Sequence, residues 1–261
     1  MLKVRPTAVA GSFYPADPKQ LALMLKSLLQ QASSCTNTPK AIIVPHAAYI
    51  YSGAIAASAY ACLQTQREHI SRVVLLGPAH KVGFSGLALS SADAFGTPLG
   101  NVALDIEATA TLTHYPFVHY FDSAHTEEHS LEVQLPFLQI SLAVFKLIPI
   151  VVGDCSPEQI RQVLEVFYEQ KHTIIVISSD LSHYHDYTTA QSLDTLTSAK
   201  IEQLDYQHLD FDSACGRTPI SGLLALAQQK SLTVKTIDLR NSGDTAGDKN
   251  HVVGYGAYVI K

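Results

Sequence analysis

The chain predicts an α/β fold: a three-layer sandwich in which a mixed, mostly parallel central sheet carries helices on both faces. Three observations point there. Apolar, β-branched runs such as Ile174–Ile177 hold no charge, as strands covered on both faces do. These runs alternate with stretches of helical period, the order of an α/β chain. Helix starts sit between them at Asp17-Pro18, Ser156-Pro157 and Thr218-Pro219, each a capping side chain followed by proline at the first helical position. With 261 residues, 47 % of them hydrophobic and 16 % charged, the chain can bury one large core, and residues 1–261 read as a single domain.

After an irregular lead-in, Pro18 to about Gln31 reads as a helix with Leu21, Met24, Leu25, Leu28 and Leu29 on its apolar side. A polar loop, Ser33–Pro39, precedes a strand over Lys40–Val44. Ser52-Gly53 opens a small-residue helix, Ala54 to about Leu63, whose alanines permit close packing on a sheet. Strands follow at Arg72–Leu76 and Gly86–Leu89, and a helix is expected over Asn101–Leu112. The segment beginning at Ala124 reads as an amphipathic helix through about Leu142. Phe145–Val152 is a buried strand and Ser156–Gln170 a helix. The stretch Thr173–Asp186 comes next, beginning as a buried strand over Ile174–Ile177 and then turning polar, followed by a helix from about Thr189 to Gln203. Two last strands, Thr233–Leu239 and Val252–Ile260, flank a Gly/Asn/Asp loop at Asn241–Asn250.

A net charge of −5 leaves no basic footprint for nucleic acid. No run approaches the roughly 18 apolar residues of a membrane span, and the N-terminus lacks the apolar core of a signal peptide, so a soluble cytoplasmic protein is expected. Cys35, Cys62, Cys155 and Cys215 form no CxxC and no close pair, which argues against a disulfide framework. Easier enzyme signatures fail. Gly83-Phe84-Ser85-Gly86 has the wrong spacing for a nucleophile elbow, Gly243–Lys249 lacks the lysine offset of a P-loop, and no HExxH occurs.

What stands out is 12 histidines in a chain with no Trp and 2 Met, since histidine is the commonest metal ligand. Three apolar strands end alike, in IIVPH to His46, LLGPAH to His80 and VISSDLSH to His183. Ligands in open α/β sheets bind just beyond the carboxyl ends of strands. Turn chemistry explains one such histidine better than it explains three. Cys215 precedes a helix start and is followed by Gly216 and Arg217; a helix N-terminus and a nearby guanidinium both favour thiolate. A free cysteine is otherwise a small buried hydrophobe. Two neutral imidazoles and a thiolate make a three-ligand site with an open position, suited to iron, copper or zinc. His183 and Asp180 then read as acid/base and orienting group or as support behind the ligands. His129 with Glu128 is a similar candidate, with a helix start among solvated acids as its plainer reading.

Seven segments in order, VAGSFYP, PHAAYIYSG, GPAH, EHSLEVQLPF, SSDLSHY, CGRTPI and the final GYGA, resemble the Memo family, also described as AmmeMemoRadiSam system protein B. The resemblance runs end to end and implies a fold like that of class III extradiol dioxygenases, whose non-haem iron sits at strand ends. By motif position it places metal ligands on His46, His80 and Cys215, with Asp180 and His183 beside them. Iron(II) is the first expectation, copper or zinc the alternatives. The dioxygenases carry a carboxylate where this family has cysteine, so ring cleavage does not carry over. Ala48 stands where the motif often has Gly, and Lys81 replaces an extra imidazole that relatives often have. The resemblance implies redox or dioxygenase-like chemistry on an unknown small molecule, and a system with a radical-SAM partner, on which any cluster would sit because this chain has no CxxxCxxC. Eukaryotic members are described as effectors binding phosphotyrosine peptides. A binding module for an anionic ligand or peptide is therefore the second expectation, and a zinc hydrolase the third.

Overall fold

The computed structural model describes residues 2–33 and 38–261; Cys35 and the middle of the Ser33–Pro39 loop lie outside them. The chain opens with strand β1 (Val4–Arg5) and helix α1 (Pro18–Gln31), where the Asp17 carboxylate caps the first turn by accepting the Gln20 N–H at 2.8 Å. Then come β2 (Ala41–Val44), α2 (Tyr49–Tyr60), β3 (Arg72–Pro78), β4 (Leu87–Leu89) and β5 (Ala94–Phe95). The middle of the chain forms β6 (Val102–Ala103), α3 (Ile106–Thr111), β7 (Val118–Tyr120), α4 (Ser123–Thr126), α5 (Gln134–Ser141) and β8 (Lys146–Val152). The last part supplies α6 (Pro157–Tyr168), β9 (Thr173–Ser178), β10 (His183–His185), α7 (Tyr187–Glu202), α8 (Arg217–Gln229), β11 (Val234–Asn241) and β12 (Val252–Ile260).

The large sheet runs β10-β12-β2-β9-β3-β8-β4-β7, with β11 on β12. Its centre, β2-β9-β3-β8, is parallel, while β12 joins β2 and β4 joins β8 antiparallel. The sheet is mixed, with the parallel part in the middle where it is covered on both sides. A small second sheet, β1-β5-β6, ties the N-terminus to the body. Because side chains alternate along a strand, the four central strands feed two cores. Ile42, Val44, Val73, Leu75, Leu147, Val151, Ile174 and Val176 face α1, α2 and α5 through Leu21, Leu25, Ile55 and Phe137. Ile43, Val74, Leu76, Ile148, Ile150, Ile175 and Ile177 face α6 and α8 through Ile160, Val163, Phe167, Leu223 and Leu224. Each such side chain contributes about 1.5–3 kcal/mol on burial, enough to fix the register of every central strand. No helix among the described residues is long and apolar enough to cross a membrane.

Four local expectations are corrected. The helix expected over Asn101–Leu112 is shortened to α3, because Val102 and Ala103 pair with β5 and Asp105 caps the helix by accepting the Ala108 N–H at 3.2 Å. The helix expected from Ala124 to Leu142 breaks into α4 and α5, because acidic side chains between them turn inward. The helices after Pro45-His46 and after Asp186 begin earlier than expected, at Tyr49 and Tyr187, the latter capped by Asp186. Cys155 and Cys215 are free thiols, and Cys62 is disulfide-bonded.

One buried ion pair holds the lead-in against this body. Arg5, 7 % exposed, pairs with the fully buried Glu132, whose carboxylate also accepts the Ala8 N–H at 2.7 Å, the Val9 N–H at 3.0 Å and the Tyr14 hydroxyl at 2.6 Å. Arg5 also donates to the carbonyls of His125 and Glu128, at 2.9 and 2.7 Å. Removing one partner leaves a buried charge unpaired. Glu132→Ala is therefore expected to cost about 3–5 kcal/mol in denaturant unfolding; a loss below about 1 kcal/mol would mean the pair carries no such weight.

Candidate metal centre

The parallel register places the site. Val44 of β2 lies opposite Ser178 of β9, and Leu76 of β3 opposite Ile177. Two residues beyond the ends of β2, β3 and β9 stand His46, His80 and Asp180. The His46 backbone N–H donates to Asp180 Oδ1 at 2.7 Å, so the ladder continues through a side chain after the strands have ended. This corrects the reading of three equivalent histidines: the β9 position is Asp180, while His183 begins β10 and pairs with Val253 of β12.

Hydrogen bonds fix the tautomer of both rim imidazoles. Ser178 Oγ donates to the Ser130 carbonyl at 2.6 Å and accepts Gln134 Nε2 at 2.8 Å, so its remaining lone pair takes a proton from His46 Nδ1 at 3.0 Å. His80 Nδ1 lies 2.9 Å from Glu128 Oε1, and the His80 backbone N–H donates to Glu128 Oε2 at 2.6 Å. With both Nδ1 protons committed, each ring keeps its lone pair on Nε2. Cys215 Sγ lies 3.3 Å from His46 Nε2. Donor atoms of His46, His80 and Cys215 all fall within 4.8 Å of one another. Sulfur and nitrogen sharing a tetrahedral ion would stand about 3.5 Å apart at ordinary bond lengths, so these residues fit a metal.

Burial sets the charge state of the surroundings. It pushes the Cys215 thiol up to about 12, with the Asp180 carboxylate adding to the rise and N–H groups of Asp180 and Gly216 opposing it. Burial thus opposes the thiolate that the helix start and Arg217 are expected to favour. Arg217, read as its activator, lies instead over the Phe211 ring at 3.5 Å. Asp180 is raised to about 7 by burial, against the hydrogen bonds it accepts from the His46 and Ala47 N–H groups. Burial lowers His46 well below the usual imidazole range, lowers His183, and takes His129 to about 4. Glu128 shows the opposite balance. Burial would raise it, but the hydrogen bonds it accepts from His80 and from the Ser130 N–H outweigh that and hold it down at about 2.

The cleft above these groups encloses about 1000 Å³. His129 stacks on His80 with centroids 4.6 Å apart, stands edge-on to His46 at 5.4 Å and meets Phe13 at 4.9 Å. His183 and Asp180 line the same cleft, so all six candidates from the sequence come together. His185 and Asp186 leave it: Asp186 is spent on the N–H groups of Thr188 and Thr189 as the cap of α7. Residues the motifs did not single out as lining are Phe13, Tyr51, Lys81 and Tyr255. The roles of Ser178, Gln134 and Glu128 as fixed hydrogen-bond partners behind the imidazoles also went unassigned, although Glu128 adjoins His129 in the sequence.

A model of the Memo-like protein family matches residues 5–259. The chain belongs to the Memo family. It is 37 % identical over 268 residues to a MEMO1 family protein of Aquifex aeolicus, covering 97 % of this chain and 98 % of that one. It is also 37 % identical over 279 residues to one of Sulfolobus acidocaldarius, covering 97 % of both. Among solved structures, an uncharacterized protein of Escherichia coli shares the fold at a TM-score of 0.52 and 11 % identity, covering 85 % of this chain and all of that one.

In this Memo-family chain a second donor group, His80, Glu128 and His129, shares His80 with the first. Glu128 is already occupied, since Oε1 accepts the Ser130 N–H at 2.9 Å besides His80 and lies 3.3 Å from His129 Nδ1. Its geometry is that of a carboxylate orienting histidines, not of a ligand with lone pairs to spare. Glu128→Ala frees the His80 ring, and metal affinity measured by competition with a chromophoric chelator is expected to fall about 10–100-fold. Unchanged affinity in a folded variant would show that His80 needs no such support.

Proposed function

We propose that this protein holds a first-row transition metal on His46, His80 and Cys215 and carries out redox chemistry of a dioxygenase-like kind on a small substrate in the cleft. The observation that supports it is the pair of committed Nδ1 protons, which turns two Nε2 lone pairs and one sulfur toward a common point. Imidazole and thiolate donors suit iron, copper or zinc and disfavour magnesium and calcium. Bound iron(II) or copper would supply one-electron chemistry, whereas zinc would supply only Lewis acidity and make the protein a hydrolase. Three protein ligands leave room for substrate.

The chain's own groups then divide the remaining work. His183, kept neutral at pH 7 by burial, is the group that takes or returns a proton. Asp180 ties the His46 backbone to the Cys215 loop, accepting the His46 N–H through its side chain and giving its own N–H to Cys215 Sγ at 3.3 Å. His129 and Phe13 wall the cleft beside His80 and exclude water from that side.

Metal analysis of anaerobically purified protein tests the assignment. Wild type is expected to carry near-stoichiometric iron or copper, and Cys215→Ser to lose most of it, because an alcohol is a far poorer soft ligand than thiolate. His183→Ala is expected to keep the metal and lose turnover. Equal metal in wild type and Cys215→Ser would remove Cys215 from the ligand set, and zinc alone in the wild type would replace redox chemistry with hydrolysis.

A further inference from the structure

Five of the chain's six arginines are paired with a carboxylate: Arg5 with Glu132, Arg67 with Glu68, Arg72 with Asp105, Arg161 with Glu158, and Arg240 with Asp238. Arg217 alone has no such partner among the described residues, and its side chain makes no hydrogen bond. Its Nε is sealed from solvent and unbonded. Its guanidinium is held flat on the Phe211 ring, 3.5 Å from the centroid, and that ring is itself 82 % exposed. A buried donor left unmade is costly, and folded proteins keep few of them.

The first turn of α8, with Arg217, Thr218 and Pro219, lines a groove of about 470 Å³ whose other wall carries Lys81 and Phe84. This groove adjoins the main cleft and shares His80, Lys81, Phe211 and Cys215 with it. Lys81 also makes no ion pair among the described residues. One carboxylate, Asp154, opens on the groove without pairing with Arg217. Two cations against one anion leave a single positive charge. That balance suits a monoanion better than a dianionic phosphate.

We propose that this groove is a carboxylate subsite, in which Arg217 engages the carboxylate of a small ligand with an apolar body, its far end directed to the His80–Cys215 side. The planar guanidinium matches a carboxylate with two parallel N–H bonds, and stacking on Phe211 fixes its plane beforehand. Lys81 adds charge without direction, and Phe84 and Pro219 supply the apolar wall. The subsite rests on the metal reading only for where the far end of the ligand lies.

Calorimetric titration of the full chain with benzoate, benzyl alcohol and inorganic phosphate tests the proposal. Benzoate is expected to bind about tenfold or more tightly than benzyl alcohol, and Arg217→Gln to abolish that preference. A variant that binds benzoate as well as wild type does, or a wild type that does not prefer it to the alcohol, overturns the subsite; phosphate binding more tightly than benzoate overturns its assignment to a carboxylate. If Arg217→Gln does not fold, wild type decides: benzoate must slow modification of Arg217 by phenylglyoxal, read by mass spectrometry, and an unchanged rate overturns the proposal. Metal content of the same samples answers for the metal site separately, since a metal-free wild type that still prefers benzoate sustains this inference while removing the other.

Discussion

The contact between the His46 backbone N–H and the Asp180 carboxylate is where sheet geometry becomes site geometry. Within β2 and β9 the spacing of residues is dictated by ladder hydrogen bonds, and both strands end at the same level, Val44 beside Ser178. One backbone bond reaches past that level, from the Ser179 N–H to the Val44 carbonyl at 2.8 Å, and chains leaving a sheet ordinarily diverge after it. Asp180 extends the pairing by one more bond and sends its own N–H to Cys215 Sγ. Three segments far apart in sequence, 44–46, 178–180 and 215–216, are thereby held at one point on the rim. A loop site of this precision needs such bonds because loops lack the cooperative support of strands.

The second level of support comes from the acidic stretch between α4 and α5. Glu128 and Glu132 are nearly inaccessible to solvent, and each is saturated with donors: His80 and Ser130 on the first, Arg5, Tyr14 and two backbone N–H groups on the second. A continuous helix here would have carried these carboxylates on its own terms. Breaking it lets both point inward, one under the candidate ligand His80 and the other under the segment that brings Phe13 to the cleft. The cost of burying two carboxylates is met by the number of donors each collects.

The layers and the central strands were legible because they rest on periodicity, and periodicity is written locally. The candidate ligands were legible because a histidine or cysteine just past an apolar run is conspicuous whatever its partners. Less accessible was anything depending on which long-range partner a side chain finds. Asp180 and His183 sit three residues apart in one motif, yet only the end of β9 at Ser178 shows that Asp180 takes the position equivalent to His46 and His80. Arg217 follows Cys215 by two residues and looked like its activator; in the fold it stacks on Phe211, and burial raises the thiol instead. Glu128 reads in sequence as a partner of the adjoining His129 or as a solvated acid at a helix start; nothing near it announces His80.

The closing GYGA segment shows how a motif can serve the site from behind it. β12 passes so close to α7 that a Cβ on Gly254 would stand 2.0 Å from Asp194 Oδ2. Only glycine allows that approach, and the approach matters because Asp194 Oδ1 accepts the Ser182 N–H at 3.0 Å while the Gly254 N–H donates to the Ser182 carbonyl at 2.8 Å. Ser182 is thus gripped from both sides, immediately before His183. Tyr255, next along the strand, alternates to the opposite face and lines the cleft. Glycine at 254 and tyrosine at 255 therefore act on the same few ångströms of structure by different means, one by leaving space for the carboxylate that steadies the His183 turn, the other by filling the cleft wall that faces it.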